Sequence, residues 1–248
     1  MIRNLLLATA LLLAANPSFA QKKFVDEESS KLIAGPMLSY IDDYHAQMWL
    51  LVSKETETIT IKLENFDEDR NQELVFDLKD PKSYNNSRWF DFNVSDYNNG
   101  DEIPVVLTLE ELIPDAEYNV AVYLDSVLVE EEMDIYTPRN YLADTYFLLG
   151  HSLNLNDADD DGDAILDVMS DVESDLMVWM GNNVYFNDKE ANSFRKMLAK
   201  YKSVRKREKV NEFMKLMPHI AVWDKMDFGL NTSDTRFALK DSTLMAFN

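Results

Sequence analysis

Apolar and polar residues alternate along short segments in the first half of the chain, and turn residues separate these segments. A period of two is typical of strands that have one buried face and one exposed face. The predicted strands are Gln47–Val52, Thr58–Leu63, Glu73–Leu78, Trp89–Val94, Pro104–Leu109, Tyr118–Leu124 and Glu132–Tyr136. Their number and spacing predict a β-sandwich, with Trp49 in the core and Gly35–Tyr40 as an entering edge strand.

A tyrosine near the start of the sixth predicted strand adds a specific expectation. Leu112-Ile113-Pro114-Asp115-Ala116-Glu117 leads directly into Tyr118 and the alternating strand that follows. This spacing predicts a tyrosine corner, in which the phenol hydroxyl bonds to the backbone a few residues upstream.

The second half has brief apolar runs with amphipathic stretches between them. Such runs predict the buried strands of an α/β domain, and they are Tyr146–Leu149, Leu176–Met180 and His219–Trp223. A sheet of only three strands leaves an edge and an apolar face uncovered. In parallel sheets the functional residues lie at and just beyond the carboxyl ends of the strands. In this chain the corresponding segments are Gly150-His151-Ser152, Gly181–Tyr185 and Asp224–Asp227.

The N-terminus predicts export. A basic start precedes an apolar run, Leu5–Ala15, and small residues Ser18 and Ala20 follow, as in a secretory signal peptide cleaved after Ala20. We therefore expect a bacterial protein that is periplasmic or extracellular, with no membrane insertion after cleavage. The expected divisions are a signal peptide (1–20), an N-terminal segment (21–34), a β-sandwich (35–137) and an α/β domain (141–248), joined near Thr137-Pro138-Arg139.

Composition restricts the chemistry. The 248 residues include 45 acidic and 24 basic side chains, three histidines and no cysteine, which gives a net charge of −21. No disulfide, thiol nucleophile or thiolate metal site can form. A charge of this sign repels phosphate backbones and anionic membranes, so we expect no nucleic-acid partner.

Three motifs resemble those of the PhoD-like (alkaline phosphatase D) metallophosphoesterases. The segment Asp175–Tyr185 reads Asp-Leu-Met-Val-Trp-Met-Gly-Asn-Asn-Val-Tyr, where the family has Gly-Asp-Asn-x-Tyr after its second strand. The segment Trp223–Asp234 resembles the family's Trp-Asp-Asp-His-Asp-Phe-Gly-x-Asn, and Gly150–Asp157 resembles Gly-Ser-Cys-x-Tyr-x-Asn-Asp. The resemblance implies export, an N-terminal Ig-like or fibronectin-III-like β-sandwich, and an α/β domain that hydrolyses phosphate esters with iron and calcium.

The departures from these motifs fall on the family's metal ligands and proton donor. They are Ser152 for cysteine, Asn182 for aspartate, and Lys225 and Met226 for an Asp-His pair. Neutral oxygen ligands and a fixed positive charge weaken cation binding, and methionine cannot donate a proton. Family members also usually continue beyond this point into further ligand-bearing strands, so the resemblance implies a partial, truncated catalytic domain.

An acidic segment between the first strand and the next helix is a second candidate metal site. Carboxylates stand at alternate positions in Asp157–Asp167, as in calcium loops, but neither register supplies both the turn glycine and the closing glutamate. A solvated insertion leading into a helix at Asp163–Glu173 is the alternative. Residues 189–209 are rich in lysine and arginine, and we expect these side chains on the solvent faces of two helices.

These observations lead to one main interpretation and two alternatives. The main interpretation is an α+β two-domain, exported PhoD-like protein without catalysis, a pseudophosphatase that binds a protein or a phosphate-containing ligand, or a homodimer formed through the incomplete α/β domain. The first alternative is a divergent phosphatase that uses calcium or iron. Its metal would be held by Asp157, Asp159, Tyr185, Asp224 and Asp227, near His151, Asn183 and Asn231. The second is a β-sandwich binding module with a remnant α/β domain.

Overall fold

The computed structural model describes residues 31–80, 101–139, 144–152, 160–230 and 232–247. Its first part consists of antiparallel strands joined by short turns. They are β1 (Leu32–Ile41), β2 (Ala46–Ser53), β3 (Thr58–Asn65), β4 (Gln72–Asp77), β5 (Glu102–Leu109), β6 (Glu117–Leu124) and β7 (Val127–Tyr136). These positions confirm all the predicted strands of this half except Trp89–Val94, which lies outside the described residues.

Two sheets enclose one core in this region. Their strand orders are β1-β2-β5 and β4-β3-β6-β7, and alternate residues such as Met48, Leu50, Ile59 and Ile61 point inward and are fully buried. The predicted tyrosine corner is confirmed because Tyr118 is fully buried and its hydroxyl accepts a hydrogen bond from the Ile113 N–H at 3.1 Å.

The predicted position of Trp49 in this core is wrong. Along β2 the core takes Met48 and Leu50, so Trp49 points to the opposite face. There it packs on a second core formed by the later part of the chain. The period of two fixed which residues share a face, but it did not show that both faces of β2 are covered.

The second part has a small parallel sheet with helices between its strands. Its elements are β8 (Phe147–Gly150), α1 (Asp160–Ser170), β9 (Leu176–Trp179), α2 (Phe194–Arg205), α3 (Glu208–Phe213), β10 (His219–Ala221), α4 (Lys225–Phe228) and α5 (Lys240–Phe247). The strand order is β10-β9-β8, and both pairings are parallel. The three predicted strands are thereby confirmed.

In the part of the chain that the structure describes, the two faces of this parallel sheet are buried to different extents. Met177 and Trp179 point into a core with Tyr201 and Phe213 of the helices. On the other face, Leu149, Val178 and Ile220 form a row across the three strands. We call this second surface the uncovered face, and its residues are Phe147, Leu149, Val178, Met180, Ile220 and Val222. Five of them are about half exposed, from 43% for Ile220 to 58% for Leu149.

Polar contacts connect the sandwich to the helices of the second part. The Gly35 N–H donates to Asn211 Oδ1 at 2.6 Å, and the Lys206 ammonium lies 2.7 Å from the Glu102 carboxylate. Lys215 pairs with Glu130 at 2.6 Å. Residues 31–248 form one compact unit, and the division into two domains stays a prediction.

Lys206, which directly follows α2, therefore contacts an acidic residue of the sandwich, although it was expected on a solvent face. Among the described residues, no helix has the length and apolar character needed to cross a membrane.

Candidate functional site at the strand ends

The carboxyl ends of the three parallel strands lie side by side. Gly150 and Ala221 both pair with Trp179, so the segments that follow the strands leave the sheet at the same level. The Met180 N–H donates to the Gly150 carbonyl at 2.6 Å, and the Ser152 N–H donates to the Gly181 carbonyl at 3.2 Å. The three segments that were predicted from the sequence to follow the strand ends therefore lie next to one another in the structure.

The backbone at these ends has an unusual conformation. Ser152, Gly181 and Asn182 all have positive φ, at 55°, 99° and 54°. At Gly181 a side chain is also excluded by space, since a Cβ atom would lie 2.3 Å from the Cβ of Asp224. Non-glycine residues in this region store strain, which often accumulates at functional sites.

Ser152, His151 and Asn182 form a polar cluster around one hydroxyl group. The Ser152 Oγ lies 2.8 Å from His151 Nδ1 and accepts a hydrogen bond from Asn182 Nδ2 at 3.2 Å. Asn182 is held in this orientation because its Oδ1 accepts from the Met226 N–H at 2.9 Å. His151 Nε2 lies 3.6 Å from Asp224 Oδ2, and both side chains are about half exposed.

Asp227 is buried and surrounded by donors. Its Oδ1 accepts from the N–H groups of Asn183 and Val184 at 2.8 and 3.0 Å, and its Oδ2 accepts from Asn183 Nδ2 at 3.0 Å. The Tyr201 hydroxyl donates to Oδ1 at 3.4 Å, and the Asp224 N–H donates to Oδ2 at 3.3 Å. Burial raises the pKa of Asp227 even though these donors act to lower it.

This environment shows what Asp227 does in the fold. Its carboxylate links the segment after β9 to the start of α4, and its side chain is not exposed. A metal at Asp227 would have to compete with these hydrogen bonds. Asp224 differs, since its side chain is 45% exposed beside His151.

The remaining candidates that the structure describes differ in their exposure. Lys225 is exposed at the first turn of α4, Met226 is half-buried beside it, and Tyr185 is half-buried in the segment after β9. Asp157, Asp159 and Asn231 lie outside the described residues. Helix α1 begins at Asp160, earlier than the expected Asp163. Within the ranges given above, no three histidine or acidic side chains are grouped as metal ligands.

The cluster presents several hydrogen-bonding groups. The Ser152 hydroxyl and the Asn182 amide can donate hydrogen bonds, and the His151 imidazole can donate or accept one. Lys225 adds an exposed ammonium in the first turn of α4. The exposed carboxylate beside His151 is that of Asp224.

His219 has a structural role. It is 6% exposed, and its Nδ1 accepts a hydrogen bond from Trp179 Nε1 at 3.0 Å. Burial lowers the pKa of His219 to about 3, so the ring is neutral and packs within the second core.

The environment of Arg205 differs from the one expected from the sequence. Arg205 belongs to the basic residues of 189–209 that were expected on solvent faces, yet its guanidinium lies over the rings of Trp49 and Tyr201. The signal was the position of Arg205, one residue after Val204 and four after Tyr201, both of which are buried on the inner face of α2.

Comparison with solved structures identifies a similar fold. No family model matches the chain, and no curated protein is similar to it in sequence. The structure of PhoD aligns over 88% of this chain with a TM-score of 0.64 and 11% identity. The fold is similar to that of PhoD. This chain covers 46% of the PhoD chain, so it spans about half of that protein's length.

Two further similarities are partial. The sensor domain of the anti-sigma factor RsgI4 in Pseudobacteroides cellulosolvens aligns over 46% of this chain and 95% of that domain, with 14% identity and a TM-score of 0.29. Chitinase ChiW from Paenibacillus sp. str. FPU-7 aligns over 71% of this chain and 14% of its own, with 10% identity and a TM-score of 0.26. These scores are too low to inform the fold.

Proposed function

We propose that this chain is an exported PhoD-like protein that has lost metal-dependent phosphoesterase catalysis and acts by binding. One observation carries the proposal. The four positions at which the sequence departs from the family's motifs are grouped at the strand ends, where Ser152 and Asn182 share a hydrogen bond and Asn182 bonds to the backbone of Met226. Lys225 adds a positive charge at the place where the family's motif has an acidic residue.

The remaining carboxylates support this proposal. Asp227 accepts hydrogen bonds from three segments, which contain Val184, Tyr201 and Asp224, and Asp224 faces His151. A metal centre needs several anionic or neutral ligand atoms around one point, and a pair of cations that share a bridging ligand needs more. Ser152 and Asn182 provide weak neutral donors there, and Lys225 opposes a cation by charge.

The β-sandwich is proposed to be the Ig-like or fibronectin-III-like domain of this protein. Support comes from its two antiparallel sheets of three and four strands and from the tyrosine-corner hydrogen bond of Tyr118. Export rests on the signal-peptide features of residues 1–20.

The alternative with a specific observation in its favour is a divergent hydrolase with a rewired site. The positive φ angles of Ser152 and Asn182 place a hydroxyl, an imidazole and an amide together, as an active site requires. Metal binding would then depend on Asp224 together with Asp157 and Asp159. The last two residues lie outside the described ranges.

Hydrolysis and metal content separate these two functions. The purified full chain, supplied with iron and calcium, should hydrolyse aryl phosphate mono- and diesters no faster than a metal-only control. It should also contain no stoichiometric iron. Turnover that depends on metal and disappears in Asp224→Ala would establish the divergent hydrolase.

A restored variant tests the cause of the loss. Ser152→Cys, Asn182→Asp, Lys225→Asp and Met226→His together return the family's residue types to this cluster. We expect metal uptake to increase more than turnover. Uptake that stays at the level of the unmodified chain would show that these four residues do not account for the missing centre.

The partner we propose for the uncovered face is a second copy of this chain. Parallel sheets are normally covered on both faces, and five half-exposed side chains of this size present an apolar area on the order of 500 Å². Two such faces would together bury about 1,000 Å², near the lower limit for a specific interface. The row Leu149, Val178 and Ile220 carries no charge, so two copies that meet along it bring no like charges together within the row.

Sedimentation velocity tests this homodimer. The full chain should show a concentration-dependent dimer, and Leu149→Lys should be monomeric. Val75→Lys is the matched control because Val75 is 62% exposed on β4 of the sandwich, and it should leave the dimer intact. A monomeric unmodified chain at high concentration would contradict the proposal.

A further inference from the structure

A cavity of about 460 Å³ lies between the sandwich and the second part of the chain. One wall is the outer face of the β1-β2-β5 sheet, which contributes Met37 and Trp49. The opposite wall comes from β9, α2 and α5, with Trp179, Tyr201 and Phe247. This volume is in the range of small-molecule sites, and such sites are mostly apolar with a few polar groups that fix the ligand.

Two cationic side chains line the cavity, Lys202 and Arg205, and we consider the guanidinium of Arg205 because aromatic rings enclose it. Its Cζ atom lies 5.4 Å from the centre of the Trp49 ring and 5.6 Å from that of Tyr201. The two aromatic rings hold the planar group by cation–π interaction, which leaves its N–H groups available for hydrogen bonds.

This guanidinium has no ion-pair partner among the described residues, although the chain has a large excess of acidic side chains. Its Nε is buried and makes no hydrogen bond. The negative charge of Asp227 acts on Arg205 without a direct contact, and the Asp227 carboxylate accepts from the Tyr201 hydroxyl. Neighbouring lysines on the same helix differ, since Lys202 donates to the Glu102 carbonyl at 2.7 Å and Lys206 pairs with the Glu102 carboxylate.

An unpaired cationic donor in an apolar environment is costly. A carboxylate has two oxygens that match the guanidinium fork and would satisfy these donors with charge-assisted hydrogen bonds. The aromatic and aliphatic walls favour an apolar body on the same molecule.

We infer that this cavity binds a small monocarboxylate with an apolar chain or ring, held by Arg205 and packed against Trp49 and Tyr201. The site is distinct from the Ser152 cluster and does not depend on the loss of phosphatase activity. It uses residues from both parts of the chain, so it exists only when the sandwich and the helices pack together.

The test uses octanoate and its uncharged counterpart octanol with the full chain. Calorimetry should detect saturable binding of octanoate to the unmodified protein, with at least tenfold weaker binding of octanol. Binding should change the tryptophan fluorescence, because Trp49 and Trp179 line the cavity. Inorganic phosphate should not bind at this site.

Arg205→Met removes the charge and keeps the length of the side chain. Octanoate should bind to this variant at least tenfold more weakly, while octanol binding is unchanged. Arg195→Met is the matched control because Arg195 is exposed on the same helix, and it should bind octanoate like the unmodified protein. Circular dichroism on each variant checks that the fold is retained, and Arg205→Lys, which keeps the charge without the fork, should have intermediate affinity.

Three outcomes would overturn the inference. The first is no saturable octanoate binding to the folded, unmodified chain. The second is equal octanoate affinity in the unmodified chain and in Arg205→Met or, should that variant not fold, in Arg205→Lys. The third is phosphate binding, lost on Arg205→Lys, in place of octanoate binding.

Discussion

The sheets in the two parts of this molecule differ in how their faces are covered. In the sandwich, two antiparallel sheets face each other, and Ile59 and Ile61 are fully buried between them. In the second part, helices cover one face of a parallel sheet, and the other face leaves Leu149 58% exposed. The difference shows that a fold can keep regular strands and a buried core while apolar side chains on one face of a sheet stay about half exposed.

The connection between the two parts shows how they support each other. The outer face of β2 would be exposed in an isolated sandwich, but here Trp49 packs on the second core. Glu130 is largely buried beside Lys215 at 2.6 Å. Burial acts to raise the pKa of Glu130, but the hydrogen bond from Lys215 and the N–H groups of Glu131 and Glu132 outweigh it and hold the pKa below its usual value.

The largest predicted effect is the difference between truncating a side chain in the sandwich core and truncating one on the uncovered face of the parallel sheet. Ile61→Ala creates a cavity in the closed core and should lower the free energy of unfolding by about 3 kcal/mol. Leu149→Ala on the uncovered face should change it by no more than about 0.5 kcal/mol. Urea denaturation of both full-length variants, at a concentration where the chain is monomeric, measures the difference. Equal costs would show that the second face is covered in solution.

A second prediction concerns the two aspartates near the start of α4. Asp227→Asn replaces a carboxylate oxygen that accepts hydrogen bonds with an N–H₂ group that cannot, which should destabilise the protein by about 2 kcal/mol. Asp224→Asn changes an exposed side chain and should cost at most about 0.5 kcal/mol. Thermal unfolding of the two variants gives the comparison. A large cost at Asp224 instead would mean that its pairing with His151 holds the strand ends together.

The third prediction follows from the buried His219. Its pKa is lowered by burial from 6.5 to about 3 in the folded protein, so between these pH values the unfolded chain binds a proton that the folded chain does not. Its contribution to stability is therefore present above pH 6.5 and is lost as the pH falls toward 3, by up to about 1.4 kcal/mol per pH unit.

The measurement is the pH dependence of unfolding in the unmodified chain and in His219→Gln. The variant should lose part of the slope between pH 6.5 and about 4, and the exposed His151→Gln should keep it. Carboxylates titrate in the same range in all three proteins, so the difference between the curves isolates His219. Parallel curves for the unmodified chain and His219→Gln would contradict the assigned burial.

The sequence predicted local structure better than contacts between distant segments. Alternation located β2, and a tyrosine four residues after a proline located the corner at Tyr118, because both signals depend on neighbouring residues. Trp49 and Arg205 were misplaced because their environment depends on which element packs across from them. Even so, the rule that parallel strands end at one edge of a sheet brought Ser152 and Asn182 together correctly.

The smallest predicted effect concerns the tyrosine corner at Tyr118, which was predicted from neighbouring residues alone. Tyr118→Phe removes the hydroxyl that accepts the Ile113 N–H at 3.1 Å, and it should lower the free energy of unfolding by about 1 kcal/mol. Tyr123→Phe makes the same chemical change on the same strand, where the ring of Tyr123 is half-buried and faces the Lys62 ammonium, and should cost less than about 0.5 kcal/mol. Urea denaturation of the two variants resolves this difference. Equal costs would mean that the buried ring of Tyr118, and not its hydroxyl, stabilises the corner.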